Sequence, residues 1–445
     1  MKVSIAGTGY VGLVSGVCLA SLGHQVVCVD VDQSKVDKIN AGIPPIYEDG
    51  LESLLKKHVG KELTASVDLH SAVLTSDLTL IAVGTPFDGD LIDLKYIRAV
   101  SAEIGTALAQ KDSYHTVVVK STVVPGTTED VVLPILEEHS GKKAGTDFGV
   151  GMNPEFLKEG EAIKDFMYPD RIVLGGIDQR SIDALGELYT VFDKVDKIPT
   201  TPRTAEMIKY TANSLLATLI SFSNEIGNLC AKVGDIDVTD VMAGVHLDKR
   251  LSPILENGQR ITPSIVTYLA AGCGFGGSCF PKDVKALIAY GQQNKEPMGI
   301  LDAVIDINAK QPMVMLDILR SHHADISGLN VAVLGLSFKP GSDDMRESPS
   351  IPIINALLDD GASVIAFDPV ARHEAEQVLP ADAMTFCDDL EGTISSADVI
   401  FIVTRWPEFD ALPELIKKLP KAPLVVDGRR MLDKASIEHY DGVGL

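Results

Sequence analysis

This chain is short of positive charge. Its 445 residues carry 39 Lys and Arg against 62 Asp and Glu, a formal net charge of −23. Nucleic acid is held by basic surfaces that neutralise phosphates, so this balance argues against a DNA or RNA partner. A phosphorylated small molecule is still allowed, because a few cations in one place suffice for a diphosphate. Cysteine is sparse and scattered. Cys18, Cys28, Cys230, Cys273, Cys279 and Cys387 show no CxxC spacing, which speaks against a disulfide framework and against a zinc site; no metal is expected. No run of roughly 18 uncharged apolar residues occurs, so no membrane span is expected. Residues 1–7 are largely apolar but run directly into a glycine loop. They read as a first strand rather than a targeting peptide, and a cytoplasmic location is expected.

What is present starts at that loop. Gly7-Thr8-Gly9-Tyr10-Val11-Gly12 follows a strand over residues 3–6 and opens a helix over 11–22, closed by Gly23. A second strand over 25–29 ends at Asp30. The whole is a βαβ unit of the length that binds dinucleotides. Gly7 permits the tight turn, Gly9 lets a diphosphate approach the backbone, and Gly12 lets helix and strand pack closely. Asp30 can accept hydrogen bonds from both ribose hydroxyls and would repel a 2′-phosphate, which favours NAD over NADP. Lys35 reaches either the ribose or only solvent.

Further strands are expected over 78–83, 116–120 and 171–174. The first runs into Gly84-Thr85-Pro86 and the second into Ser121-Thr122, and an open α/β sheet binds ligands at such carboxyl ends. Residues 204–232 contain no proline and repeat apolar positions at helical spacing, predicting one helix of seven or eight turns, broken near Gly234. From residue 329 the strand-loop-helix pattern restarts. A strand runs to Gly335, a helix over 350–358 is followed by Gly361, a strand ends at Asp368, and strands follow over 399–403 and 424–426. Gly335-Leu336-Ser337-Phe338-Lys339-Pro340-Gly341 replaces the dinucleotide loop there, so a different kind of nucleotide is expected. The fold class is α/β, with two Rossmann-like doubly wound domains joined by a long central helix. The expected divisions are 1–198, 199–325 and 326–445.

Four sets of residues carry chemistry. In Gly276-Gly277-Ser278-Cys279-Phe280-Pro281-Lys282-Asp283, Ser278 is placed to cap a helix starting at Cys279. A helix N-terminus and Lys282 both lower a thiol pKa. Asp283 could position water or hold Lys282. Cys273, in Gly272-Cys273-Gly274, is the rival nucleophile without a following helix. In Asn153-Pro154-Glu155-Phe156-Leu157-Lys158-Glu159-Gly160, Asn153 as N-cap and Pro154 at N1 predict a helix start, with Glu155 and Glu159 on one face. Such a pair can share acid–base work, or be no more than a solvated helix face. Glu206, Lys209 and Asn213 share one face of the long helix, where a Lys–Asn pair suits an oxyanion or a sugar hydroxyl. Lys339, Arg346 and Arg429-Arg430 are cations at loop positions that suit a diphosphate.

These stretches, with Lys120-Ser121-Thr122-Val123-Val124-Pro125-Gly126-Thr127 and residues 205–213, 274–283 and 337–350, resemble the UDP-glucose/GDP-mannose dehydrogenase family, in the family's order over nearly the whole chain. The resemblance implies a four-electron oxidation of a nucleotide sugar at C6 with two NAD per turnover, through a thiohemiacetal and then a thioester on Cys279. It implies that Thr122 and Glu155 order water and move protons, that Lys209 stabilises an oxyanion beside Asn213, and that Asp283 activates water. Cofactor contacts implied are Gly7, Gly9, Tyr10, Val11, Gly12, Asp30, Lys35, Thr85, Pro86, Ser121, Thr122, Glu159, Lys282 and Arg346. The sugar nucleotide would meet Glu155, Phe156, Leu157, Lys158, Lys209, Asn213, Gly276, Cys279, Phe338 and Lys339, with one of Arg429 or Arg430, the second preferred. Residues 246–272 depart from the family's compact turn, so Arg260 and Arg250 both qualify as an arginine lent by a neighbouring subunit, and Tyr268 and Arg260 lie where sugar selectivity is set. A homodimer through the central helix is implied. UDP-glucose is the first expected substrate, ahead of GDP-mannose or a UDP-N-acetylhexosamine. A non-catalytic NAD-binding regulator is the reading of another class, against which Cys279, Lys209 and Asp283 stand.

Overall fold

A computed structural model describes residues 1–89 and 91–445. The chain divides into two compact units, Met1–Ala212 and Asn213–Leu445.

The first unit is built on an 8-stranded sheet in the order β3-β2-β1-β4-β5-β6-β7-β8. The strands are β1 (Lys2–Ala6), β2 (Gln25–Val29), β3 (Leu63–Ser66), β4 (Leu78–Ile81), β5 (Thr116–Val119), β6 (Gly149–Met152), β7 (Arg171–Gly176) and β8 (Asp196–Thr200). Apolar residues on successive strand positions feed different cores. Val3, Ile5, Leu78, Leu80 and Val118 join the cluster on one face, and Ala6, Ile81, Val117 and Val119 the cluster on the other. A sheet covered on both faces needs apolar residues at every strand position, which is why β4 and β5 are buried throughout. The expected strands form, but β6 pairs antiparallel with β7, so the last two strands run against the rest.

The second unit carries a 6-stranded sheet, β11-β10-β9-β12-β13-β14, with every pair parallel. Its strands are β9 (Asn330–Leu334), β10 (Ser363–Phe367), β11 (Thr385–Phe386), β12 (Val399–Ile402), β13 (Leu424–Asp427) and β14 (Tyr440–Gly442). Both sheets therefore share the 3-2-1-4-5-6 strand order of dinucleotide folds, whose ligands bind beyond the carboxyl ends of the strands where the order reverses.

The long helix forms as Pro202–Val233, 32 residues, and the division between the units falls within it. Its start is anchored by Glu206, fully buried. The Glu206 carboxylate accepts from the amides of Gly126 and Thr128 at 2.6 and 2.8 Å and from the Thr128 hydroxyl at 2.7 Å. Burial pushes the Glu206 carboxyl up to about 7 against these donors. Glu206 thus fastens the helix rather than serving a polar outer face.

Two local expectations are corrected. No helix starts at Asn153; residues 153–158 have no regular structure and the next helix is Ala162–Met167. Asn153 cannot cap because its side chain is used elsewhere. It accepts from Lys120 Nζ at 2.9 Å and the Tyr189 hydroxyl at 2.5 Å, and donates to the Val173 carbonyl at 2.9 Å. The helix after the cysteine is Phe280–Gln293, with Cys279 itself at the cap position and no side-chain cap. Ser278 instead lies with its hydroxyl 3.6 Å from the Cys279 sulfur.

Candidate active site

In the first unit the turn after β1 is shaped by sterics. Gly7 has φ +102°, and a Cβ there would sit 2.6 Å from the Ala82 carbonyl oxygen. A Cβ on Gly12 would fall 1.9 Å from the Gly7 oxygen, whereas one on Gly9 would meet nothing within 4 Å. The loop is thus closed on its sheet side and open above Gly9, at the N-terminus of the helix Tyr10–Ser21. That is the cradle a dinucleotide diphosphate fits. Asp30 stands at the end of β2, accepting from the Thr8 amide at 3.0 Å, the Thr8 hydroxyl at 2.6 Å and the Asp32 amide at 3.0 Å, with Lys35 Nζ 3.9 Å away. Partial burial alone would raise its pKa, but these donors and Lys35 hold the carboxyl below its usual value. An anionic, oriented acceptor is what a ribose diol needs. At the ends of β4 and β5, Thr85 donates to the Thr122 carbonyl at 2.8 Å and Ser121 to the Val83 carbonyl at 2.6 Å. Thr85, Pro86, Ser121 and Thr122 therefore belong to two tied loops at the carboxyl edge of the sheet, the edge at which open α/β sheets take their ligands.

The segment after β6 carries the other polar groups of this unit. Glu155 pairs with Lys209 at 2.7 Å, each side chain only 5% exposed. Burial opposes the Glu155 charge, yet Lys209, the Leu157 amide and Lys120 bring its carboxyl below the ordinary range. Lys120, at the end of β5, is a site residue the sequence reading quoted only as part of a motif. It is buried on Asn153, and desolvation lowers its ammonium to about 8, the neighbouring Glu155 opposing the shift. Its signal is a lysine closing an otherwise apolar strand. The Phe156 ring lies under Arg171 at 3.8 Å and has Lys209 at 5.6 Å. Lys158 is engaged with Glu161 and Asp165 at 2.9 and 3.4 Å. Glu159 is half-buried at the turn that follows.

In the second unit Asn213 donates to Asp283 Oδ2 at 2.6 Å while Lys282 Nζ holds Asp283 Oδ1 at 2.6 Å. Asp283, 1% exposed, is thus fixed between an amide and a cation, one turn beyond a half-buried Cys279. The loop leading to the sulfur is held by amides distant in sequence. Asn224 accepts from the Gly272 amide, Gln311 donates to the Gly272 carbonyl, and Asn308 bonds both backbone groups of Phe275. No pattern in a single sequence points to these three. Gly277, at φ +83°, donates to the Arg346 carbonyl at 2.8 Å, and a Cβ on it would strike the Phe338 ring at 2.7 Å. A Cβ on Gly276 would lie 2.2 Å from the Glu347 oxygen. The glycines thus serve close packing of the cysteine loop on the loop after β9, with Lys339 Nζ 5.9 Å above the Phe338 ring. Tyr268 and Phe275 pack on Phe280 at 6.3 and 5.9 Å.

The remaining cysteine and cations fall differently. Cys273 is fully buried, its thiol faces the Val403 carbonyl at 3.5 Å, and burial raises its pKa; it is a packing residue. Arg430 is held by Asp237 Oδ2 at 2.7 Å and donates to the Val443 carbonyl, so it fastens the end of the chain. Arg429 donates to the carbonyls of Val403 and Gly274 at 2.6 and 3.0 Å, so it is Arg429 that lies against the cysteine loop. Arg260 spans the carbonyls of Leu247 and Ser252 at 2.8 Å and pins its own loop. Arg250, on Asp248, is exposed. Arg346 forks onto Asp344. Asp368 occupies in the second sheet the place of Asp30, but its carboxylate already accepts from Leu336, Ser337, Val370, Ala371 and the Trp406 indole. It has little capacity left for a ribose, so the second sheet does not repeat the first one's chemistry.

Among the described residues no group of His, Cys, Asp and Glu is placed to hold a metal, and no helix is long and apolar enough to cross a membrane.

Three family descriptions match in chain order: the NAD binding domain of the UDP-glucose/GDP-mannose dehydrogenase family over residues 1–193, its central domain over 203–310, and its UDP binding domain over 332–434. A UDP-glucose 6-dehydrogenase of Haloferax volcanii is 41% identical over all of both chains. A GDP-mannose 6-dehydrogenase of Pseudomonas aeruginosa is 42% identical over 96% of each. Among solved structures, a UDP-glucose dehydrogenase of Pyrobaculum islandicum is similar with a TM-score of 0.89 and 39% identity, over 100% of this chain and 97% of that one.

Proposed function

We propose, since the chain belongs to the UDP-glucose/GDP-mannose dehydrogenase family, that it is an NAD-dependent dehydrogenase that oxidises the C6 hydroxymethyl of UDP-glucose to a carboxylate. The observation that carries this reading is that one chain holds both an open dinucleotide cradle, in its first unit, and, in its second, a half-buried Cys279 one turn before an Asp283 fixed by Asn213 and Lys282. UDP-glucose is put first because the curated relatives include four UDP-glucose 6-dehydrogenases at 38–41% identity over nearly the whole chain.

NAD held by the Gly7–Gly12 loop and Asp30 supplies a hydride acceptor, used twice per sugar. The chain's own residues do the rest. Glu155, kept ionised by Lys209, orders water with Thr122 and takes the hydroxyl proton as the C6–H bond gives up its hydride. The Cys279 thiolate adds to the resulting aldehyde, and the new oxyanion is stabilised by Lys209. Loss of a second hydride from this thiohemiacetal leaves a thioester. Water, deprotonated by Asp283, cleaves the C–S bond and returns the thiolate. The balance is one alcohol, one water and two NAD+ in, and one carboxylate, two NADH and three protons out. Holding the aldehyde on sulfur keeps the second oxidation intramolecular, with the gain in effective molarity that this brings.

The C-terminal part, with Phe338, Lys339 and Arg429, takes the UDP portion, and the protein works in the cytoplasm. The protein is a homodimer through the central helix. In support, Leu215, Phe222 and Leu229 recur every seven residues on it and are each about half exposed; such a stripe is buried by a partner helix. The experiment is a panel of nucleotide sugars with NADH counted per sugar. Two NADH with UDP-glucose supports the reading, whereas tight NAD binding without NADH from any sugar supports a regulator.

A further inference from the structure

The first unit holds a polar cluster that the mechanism does not use. Glu48, in the stretch leading to the helix Leu51–His58, is 6% exposed. One of its oxygens receives the Tyr10 hydroxyl and the Gly160 amide, the latter at 2.6 Å; the other receives the Ala162 amide at 2.8 Å. Gly160 also donates to the Tyr10 oxygen at 3.0 Å. Tyr10 is the first residue of the helix behind the dinucleotide loop, and Gly160 ends the stretch carrying Glu155 and Glu159. That stretch is strung between two anchors: Asn153, gripped by Lys120, Tyr189 and Val173, and Gly160 on Glu48 and Tyr10. Burial and the Glu48 carboxylate keep the Tyr10 phenol protonated, its pKa raised far above the ordinary. It is therefore a fixed donor, and Glu48 is the acceptor that brings the cofactor loop and the carboxylate-bearing stretch to one point.

We propose that Tyr10, Glu48 and the Gly160 amide form a latch through which occupancy of the dinucleotide loop sets the position of residues 155–160, with Glu48 as a positioning residue. A diphosphate at Gly9 fixes the first turn of the helix and with it the Tyr10 hydroxyl. Because Glu48 can satisfy Tyr10 and Gly160 together in only a narrow range of geometries, fixing one fixes the other. The inference rests on the proposed function only for what Glu155 and Glu159 do. The coupling itself is measured without sugar, so its failure and the failure of the thioester reading are separable.

The test uses Tyr10→Phe, which removes one hydroxyl, and Glu48→Gln, which keeps the shape but turns a donor toward the amide of Gly160 or of Ala162. Hydrogen exchange of residues 160–163 is followed with and without saturating NAD, together with NAD affinity by calorimetry and thermal melts to confirm folding. In the unmodified protein NAD should slow exchange at Gly160 and Ala162. In Tyr10→Phe that NAD-dependent slowing should be lost while protection without NAD remains, since Glu48 still accepts from both amides. NAD affinity should fall roughly three- to tenfold, the worth of one hydrogen bond. The double variant should bind NAD no more weakly than Glu48→Gln alone. Persistence of the NAD-dependent slowing in Tyr10→Phe, or multiplicative effects of the two substitutions on affinity, overturns the latch.

Discussion

Lys209 and Glu155 form an ion pair of 2.7 Å inside the first unit, both nearly inaccessible. A buried pair of opposite charges is a poor device for stability, because desolvating both ions offsets most of their attraction. Its presence beside a second buried cation, Lys120, is better understood as a way of keeping one carboxylate ionised in a dry place.

Removing Lys209 therefore has two expected results. Lys209→Ala should lower kcat by about 10²–10³, the usual loss for one oxyanion donor. Burial, which Lys209 now outweighs, should then raise the Glu155 carboxyl. The acid limb of the pH–rate profile should move to higher pH, and an unmoved limb would separate Glu155 from the proton transfer.

The proposed mechanism gives Asp283 the last chemical step, the hydrolysis of the thioester. With Asp283→Asn, water activation should fail while both hydride steps continue, so NADH should appear as a burst and turnover should fall by about 10²–10⁴. Stopped-flow absorbance at the nicotinamide band reads both. Loss of the burst together with turnover would move Asp283 to an earlier step.

Asp30→Ala should weaken NAD by about tenfold or more, the scale of hydrogen bonds to a charged acceptor, and calorimetry without sugar measures it. Equal affinity would remove Asp30 from the site.

Much of this was legible in the sequence because it depends on near neighbours. The Gly7–Gly12 turn, Asp30 and the uninterrupted helix follow from spacing and from the lack of proline. What was illegible depends on partners far along the chain. Asn153 is a good N-cap by local rules, yet Lys120 and Tyr189 use its side chain 33 and 36 residues away. Glu48 meets Gly160 across 112 residues. Arg430 and Arg260 are plausible ligands as residue types, and nothing near them in the sequence shows that Asp237 holds the first and the Leu247 and Ser252 carbonyls the second. The antiparallel pairing of β6 with β7 leaves no local trace, because strands buried on both faces are apolar in either direction.

The Asp237–Arg430 pair gives a pH-dependent stability. Asp237 caps the helix Val238–His246 and holds Arg430 at 2.7 Å and Lys434 at 2.8 Å. Burial opposes its charge, but these partners bring its carboxyl far below the usual value. A depressed carboxyl contributes its stability in full above the unfolded pKa of about 3.9 and loses it as pH falls toward the folded value. Asp237→Asn should cost roughly 2–3 kcal/mol at pH 7, somewhat below the usual loss for a broken buried pair. The difference in denaturant midpoint should shrink below pH 4, and a pH-independent difference would show that the ion pairs with Arg430 and Lys434 are not its source, since Asn caps a helix as well as Asp does.

The most direct measurement is rapid-quench mass spectrometry of the peptide carrying Cys279, during turnover of UDP-glucose by Asp283→Asn with NAD. The account predicts a uronyl adduct on the Cys279 sulfur that forms with the NADH burst and is absent without NAD. Two NADH per sugar with an unmodified Cys279, and a Cys279→Ser variant that still makes the uronate at the normal rate, would contradict it.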